Sequence, residues 1–287
     1  MKTVKENGQL AVVAKRQLAK LGTDQKNNIL AVCAKALRDN AEFIVGENAK
    51  DMENAKNNNM PQGLQDRLML NVERVNAMAE GLELIEKLPD PIGEVLDMRT
   101  LPNGLTVGQK RVPMGVIGII YEARPNVTSD AFGLCLKAGS AVILRGGSDA
   151  IHSNIATVSV FRKAIEGLGY NPDFVQLVED TTRASSTEMM TLNDYIDLLI
   201  PRGGKGLIQS VVKNATVPVI ETGVGNCHIY MDESGKIDDG VNIIVNAKAQ
   251  RVGVCNAAET LLVHKNIAKE YLPKAISALR EKGVEIR

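Results

Sequence analysis

Val116-Ile117-Gly118-Ile119-Ile120-Tyr121 is the stretch that decides the fold. It is apolar without interruption, whereas a strand with one wet face alternates apolar and polar side chains. Residues 141–144, 174–178, 195–200 and 217–220 read the same way, and helical periodicity fills 129–137, 150–168, 185–192 and 205–213 between them. Short apolar strands alternating with helices predict an α/β fold with a parallel sheet covered on both faces. Ligands of such sheets bind beyond the carboxyl ends of the strands. The turns at those ends are therefore where functional residues are sought.

Upstream, residues 3–88 are helical in period. Leu10, Val13 and Ala14 recur at i, i+3 and i+4, and Ile29, Val32, Cys33, Ala36 and Leu37 continue the pattern. Thr23-Asp24 suits a helix start, and Asn57-Asn58-Asn59 with Pro61 marks a break. This segment reads as a helical layer wrapped around the sheet. Residues 98–112 change character: β-prone runs flank Pro102-Asn103-Gly104, and Asn-Gly in that setting signals a hairpin. Downstream of Asp232 the pattern is helix (237–248), a connection carrying Cys255, strand (259–263), helix (267–282) and a strand start at 284–287. The expected division is a cofactor-binding domain over 1–232 and the opening of a second α/β domain over 233–287.

The 34 basic and 34 acidic residues cancel, which leaves no electrostatic footprint for nucleic acid or an anionic membrane. No apolar run approaches the roughly 18 residues of a membrane span, and the first residues lack the core of a signal peptide. The four cysteines show no CxxC spacing, so they read as reduced thiols of a cytoplasmic protein. The three histidines do not gather at ligand spacing. Cys227-His228 would point to opposite faces of a strand, so no metal is expected.

Cys255 lies in Gln250-Arg251-Val252-Gly253-Val254-Cys255-Asn256-Ala257-Ala258-Glu259-Thr260, on a connection, with Gly253 allowing close approach of the backbone. A thiol there can serve as a nucleophile once ionised; a buried cysteine acting as a small hydrophobe is the competing reading. Asn126 follows Pro125 at a strand end and offers two N–H donors, or simply caps a turn. Arg145-Gly146-Gly147-Ser148 and Pro201-Arg202-Gly203-Gly204-Lys205-Gly206 each follow a strand. The second precedes a helix whose N-terminus suits a pyrophosphate, although it is neither a Walker A nor a GxGxxG motif and Lys205 could be plainly solvated.

Taken in order, the Cys255 segment, Tyr121-Glu122-Ala123-Arg124-Pro125-Asn126-Val127-Thr128, Leu144-Arg145-Gly146-Gly147-Ser148, the Pro201–Gly206 run and Glu221-Thr222-Gly223-Val224-Gly225-Asn226-Cys227-His228 resemble the motifs of the γ-glutamyl phosphate reductases, a branch of the aldehyde dehydrogenase superfamily. The resemblance implies a Rossmann-type cofactor domain with N-terminal helices and a hairpin arm used for homo-oligomer contacts, where the residues alone allow an ordinary surface hairpin. It also implies an incomplete α/β catalytic domain, since family members continue past the position of Arg287 and the short chain would turn over slowly or not at all.

The activity it implies is NADPH-dependent reduction of L-glutamyl 5-phosphate to L-glutamate 5-semialdehyde and phosphate, in proline biosynthesis, with no metal. Cys255 would form a thioester and Asn126 would hold the oxyanion with the Cys255 backbone N–H. Arg145, Gly146, Gly147, Ser148, Gly203, Gly204 and Lys205 would bind the cofactor. In NAD-preferring relatives an acid near the 145–148 turn bonds the ribose; Ser148 beside Arg145 would instead tolerate a 2′-phosphate, whereas a one-residue shift would put Asp149 there. Arg124 is a candidate contact for the substrate anion, or a structural ion-pair partner. Glu221 resembles the glutamate that activates water in oxidising relatives, a task a reductase does not need. An oxidative aldehyde dehydrogenase and a non-catalytic cofactor-binding fragment are the alternatives.

Overall fold

The computed structural model describes residues 2–122, 124–223 and 225–287; Ala123 and Val224, each inside a quoted motif, lie outside them. Five helices come first: α1 Val4–Leu18, α2 Thr23–Asp39, α3 Ala41–Asn57, α4 Gln62–Leu68 and α5 Val72–Lys87. A hairpin follows, β1 Val95–Thr100 and β2 Thr106–Lys110. Strands and helices then alternate as β3 Val116–Tyr121, α6 Pro125–Lys137, β4 Ala141–Arg145, α7 Ile151–Gly167, β5 Val175–Leu177, α8 Arg183–Met190, β6 Leu198–Arg202 and α9 Lys205–Asn214. The chain ends with β7 Cys227–Met231, α10 Ile237–Ala249, β8 Ala258–Val263 and α11 Ala268–Glu281.

Residues are grouped into two compact units, Met1–Thr222 and Gly223–Arg287. The expected boundary lay ten residues later. It moves because β7 hydrogen-bonds in parallel to β8, from Cys227↔Ala258 to Met231↔Val263, and so belongs to the second unit.

The first unit holds a four-stranded parallel sheet in the order β5-β4-β3-β6. β3 and β4 are buried at every residue, as their uninterrupted apolar sequence requires. Alternate side chains serve opposite faces. Ile117, Ile119, Tyr121, Val142 and Leu144 join α2, α5, α6 and α7 in one cluster, while Val116, Ile120, Ile143 and Leu199 pack with residues of α1, α8 and α9 in another. The predicted strand at 217–220 contributes only an isolated bridge, Val219 to Leu199, at the β6 edge.

Two buried polar links fasten the helical layer to the sheet. Asp51 on α3 accepts from the His152 N–H (3.1 Å), the Ser153 N–H (2.8 Å) and the Ser153 hydroxyl (2.6 Å), capping α7 from outside its own chain segment. Burial pushes the Asp51 carboxyl up despite those donors. Lys26 on α2, 2% exposed at its side chain, donates to Asp90 Oδ2 (2.6 Å) and to the Lys137 carbonyl at the end of α6 (3.0 Å).

The β1–β2 hairpin turns through Pro102-Asn103-Gly104, closed by Leu101 N–H to Leu105 O (2.8 Å) and Gly104 N–H to Leu101 O (2.9 Å). Only Gly104, at φ +84°, takes the left-handed conformation. The turn is thus a three-residue loop, not the two-residue Asn-Gly turn that the dipeptide suggests. Every residue of β1 and β2 is exposed.

The second unit is a β7–α10–β8 crossover with α11 packed against it. Met231, Ile244, Ala258, Tyr271, Ala275 and Leu279 form its core. The strand expected at 284–287 is absent, for a reason visible in the helix end. Gly283 (φ +74°) donates to Arg280 O and Val284 donates to Leu279 O, a Schellman cap that folds Val284 back onto the α11 core instead of extending it.

Candidate active site

β4 and β5 follow β3 to one side of the sheet, and the chain then returns to place β6 on β3's other side. The order of connection therefore reverses between β3 and β6. In open parallel sheets the ligand crevice lies outside the carboxyl ends at that reversal. Register puts Tyr121 opposite Arg202, so Glu122 and Gly203 leave neighbouring strand ends.

Arg124 is the N-cap of α6, Pro125 its first helical residue and Asn126 its second. Proline at this position costs no hydrogen bond and fixes the helix entry. Asn126 is exposed and does not cap; its Nδ2 donates to Asp130 Oδ2 one turn on, at 3.1 Å. Burial raises the Asp130 carboxyl, opposed by the Asn126 bond and the Arg202 charge. The anchoring bond uses one of the amide's two N–H donors and leaves the other for a ligand. Arg124 is half-buried.

Across the crevice, Gly204 caps α9, whose first helical bond is Ile208 N–H to Gly204 O at 3.2 Å. The N–H groups of Lys205, Gly206 and Leu207 precede that bond and have no helical acceptor. A Cβ on Gly206 would meet nothing within 4 Å, so the space over this turn is open. Backbone donors, a helix dipole and Lys205 facing open space fit a dinucleotide pyrophosphate.

One residue here escaped the sequence reading. Glu122 Oε2 accepts the Gly204 N–H at 3.0 Å, and a Cβ on Gly203 would lie 2.6 Å from the Glu122 Cδ. A Cβ there would also lie 2.8 Å from Leu207 Cδ2, so a larger residue at 203 would make both side chains shift. The available signal was an acid directly after a fully buried strand, facing a glycine-rich helix start.

At the end of β4 the expected cofactor residues separate. Ser148 and Asp149 are both exposed on a short 3₁₀ turn, Ser148–Ala150. Arg145 turns into the fold instead: its Nη2 donates to the carbonyls of Thr181 (2.6 Å) and Thr182 (2.8 Å), and burial pushes its pKa down. The cation expected beside a 2′-phosphate holds the 180–185 loop. Gly146 likewise answers to the interior, since a Cβ there would lie 2.2 Å from Asn154 Nδ2. Gly147 stays half-buried ahead of the turn. Glu221 lies on an exposed segment near the end of the first unit.

In the second unit, Cys255 is exposed on a turn closed by Ala257 N–H to Val254 O at 3.3 Å. Immediately after it the ladder slips: Cys227 pairs with Ala258 but His228 pairs with Thr260, leaving Glu259 as an extra residue. Bulges of this kind re-aim the chain beside functional loops. His228 Nδ1 contacts the Asn226 carbonyl at 2.8 Å, and no group of three metal-ligating side chains occurs among the described residues.

The chain matches the aldehyde dehydrogenase family over residues 1–285. It is 55% identical to the gamma-glutamyl phosphate reductase of Lachnospira eligens over all 287 residues, covering 69% of that protein. It is 56% identical to that of Caldicellulosiruptor saccharolyticus over 96% of this chain and 65% of the relative. The chain thus spans about two thirds of the length of these relatives. Among solved structures, the gamma-glutamyl phosphate reductase of Thermotoga maritima superposes with a TM-score of 0.89 at 45% identity, over 99% of this chain and 69% of that one. The enzyme of that name from Saccharomyces cerevisiae gives 0.71 at 28%, over 99% and 71%. A match over residues 1–285 and 55% identity over the whole chain decide the family: the chain belongs to the aldehyde dehydrogenase family and, within it, to the gamma-glutamyl phosphate reductases.

Proposed function

We propose that this sequence carries the nucleophile and the cofactor-binding surface of an NADPH-dependent reductase that converts L-glutamyl 5-phosphate to L-glutamate 5-semialdehyde and phosphate, a step in proline biosynthesis. The observation that carries the reading is Cys255. It is the one exposed thiol of four, on a turn beside a bulge, where an acyl group can reach it. Its thiolate attacks the acyl carbon, the C–O bond to phosphate breaks, and a thioester forms. The Asn126 amide is assigned to the oxyanion, a donor of a kind typically worth about 100- to 1,000-fold in rate. A nicotinamide held by the residues assigned below would supply a hydride to the thioester carbon; the C–S bond then breaks, which releases the aldehyde and returns the Cys255 thiolate. Gly204, Lys205 and Ser148 are assigned to holding the dinucleotide, Arg124 to the substrate anion, and Arg145 and Gly146 to shaping the cradle. Glu221, the activator of water in oxidising relatives, has no step in this sequence.

The test runs the reaction backwards with glutamate 5-semialdehyde and NADP. Phosphate-dependent formation of NADPH supports the reading. Formation that ignores phosphate and yields glutamate would instead establish an oxidative aldehyde dehydrogenase.

Cofactor preference is checked separately by binding. NADPH is expected to bind more tightly than NADH, because Ser148 offers a hydroxyl where a carboxylate would repel the 2′-phosphate. Ser148→Glu should weaken NADPH by about 1–3 kcal/mol and leave NADH within about twofold. Equal affinities in the unaltered protein, or an unaffected variant, would count against the assignment.

A further inference from the structure

Four cysteines are free, and they fall into two pairs of unlike surroundings. Cys33 and Cys135 are enclosed in the core of the first unit, where burial pushes both thiols up, Cys135 to about 12. Such thiols do not ionise near neutrality and are chemically quiet. Cys227 and Cys255 lie together in the second unit, Cys227 half-buried at the start of β7 and Cys255 exposed.

The two are in contact. Cys227 Sγ lies 3.6 Å from the backbone oxygen of Cys255. A residue's Cα is about 2.4 Å from its own carbonyl oxygen, so this sulfur is within about 6 Å of the Cys255 Cα. Ladder pairing of Cys227 with Ala258, three residues past Cys255, holds the two segments in register. Gly225 adds a second approach, since a Cβ there would sit 3.6 Å from the same Cys255 oxygen. The Cys227 Cα is about 2.8 Å from its own sulfur, so the two Cα atoms are at most about 9 Å apart, against the about 4.4–6.8 Å that a disulfide asks for. A turn with exposed Val252, Cys255 and Asn256 and a glycine at 253 can rotate to meet it, because little packing holds it in place.

We infer that Cys255 and Cys227 form a peroxide-responsive dithiol pair, in which Cys255 is oxidised first and Cys227 resolves it into an intramolecular disulfide. The Cys255 thiolate attacks hydrogen peroxide, the O–O bond breaks, and a sulfenic acid forms with release of hydroxide. The Cys227 sulfur then attacks the Cys255 sulfur; the S–O bond breaks and water leaves with the Cys227 proton. Two thiols lose two electrons to one peroxide, giving one disulfide and two waters. A dithiol reductant returns both electrons and restores the pair. Without Cys227 the sulfenic acid proceeds to the sulfinic acid, which such reductants do not reverse. The device would store the exposed thiol in a recoverable form.

The inference is tested by thiol chemistry alone, so it stands or falls independently of the acyl-transfer reading. The protein is treated with a small excess of hydrogen peroxide, alkylated and mapped by peptide mass spectrometry without reduction. A Cys227–Cys255 cross-linked peptide is expected, with denatured thiol counts falling from four to two and returning to four after dithiothreitol. In Cys227→Ser and Cys227→Ala, Cys255 should instead be found as sulfinic acid, beyond recovery by dithiothreitol. Amide-exchange protection of α10 and α11, kept at the level of the unaltered protein, shows that the second unit of each variant is folded. Sulfinic Cys255 with no cross-linked peptide in the unaltered protein, or identical oxidation products with and without Cys227, would overturn the pair.

Discussion

Cys255→Ala is expected to abolish acyl transfer, by more than about 10⁴-fold, because removing the nucleophile of a covalent mechanism removes the pathway and not merely a contact. Serine does not rescue it, since a hydroxyl needs a dedicated base and none of the side chains at 251–257 is one. Cofactor affinity should stay within about twofold, because the residues assigned to the cofactor all lie in the first unit. A readout that needs no turnover is the mass of the protein after exposure to an acyl phosphate without cofactor: the unaltered chain gains one acyl group on the Cys255 peptide, and the variant gains none. Full turnover in Cys255→Ala, or loss of acylation in Cys135→Ala in its place, would remove the nucleophile assignment and with it the thioester route.

The largest effect on stability is expected at Asp90. Its Oδ2 accepts from Lys26 Nζ (2.6 Å) and from the Thr23 hydroxyl (2.7 Å), and its Oδ1 from the Ile92 N–H (3.0 Å). Asp90→Ala leaves the Lys26 ammonium, 2% exposed, with the Lys137 carbonyl and no counter-charge. Uncompensated buried charge costs about 3–5 kcal/mol, which at about 2–4 °C per kcal/mol lowers Tm by roughly 10 °C. Burial by itself would raise the Asp90 carboxyl, but the Lys26 bond, the Ile92 N–H, the Thr23 hydroxyl and the Lys26 charge together hold it below its ordinary value. A depressed carboxylate stabilises the fold above its unfolded pKa, near 3.9, and that contribution disappears as pH falls through the folded value. The penalty of Asp90→Asn should therefore be large at pH 7 and shrink toward pH 3. Denaturant titrations at the two pH values decide it; a penalty that is the same at both, or below about 1 kcal/mol at pH 7, contradicts the account.

Much of this architecture was legible in the residues. β3 and β4 announced themselves by unbroken apolar runs, and the helices by period and punctuation, because burial on both faces and on one face leave different patterns. β7 was not legible as a paired strand. Cys227-His228-Ile229-Tyr230-Met231 alternates in burial and reads as a motif, and only the parallel partner β8, 31 residues on, makes it a sheet element of the second unit. The strand expected at 284–287 failed because Gly283 closes α11 in a local cap, a choice between continuing and folding back that apolar content does not reveal.

Within the candidate site, the division follows reach. Asn126, Ser148, Lys205 and Cys255 are candidates by their positions in turns at strand or helix ends, and sequence located those turns. Arg145 had a partner that no local pattern could supply: the Thr181 and Thr182 carbonyls, 36 and 37 residues downstream. Glu122 was missed for the same reason, its acceptor role being defined by Gly204, 82 residues away.

Glu122 has one more consequence. A carboxylate tethered to the chain at the Gly204 N–H acts as a resident competitor, present at the millimolar or higher effective concentration that short tethers give. A small anion with a single contact would have to displace it against like charge, whereas a ligand with several contacts has more with which to do so. The first N–H of this helix start is thus already satisfied from within the chain, and any anion that approaches Gly204 meets a carboxylate that must leave first.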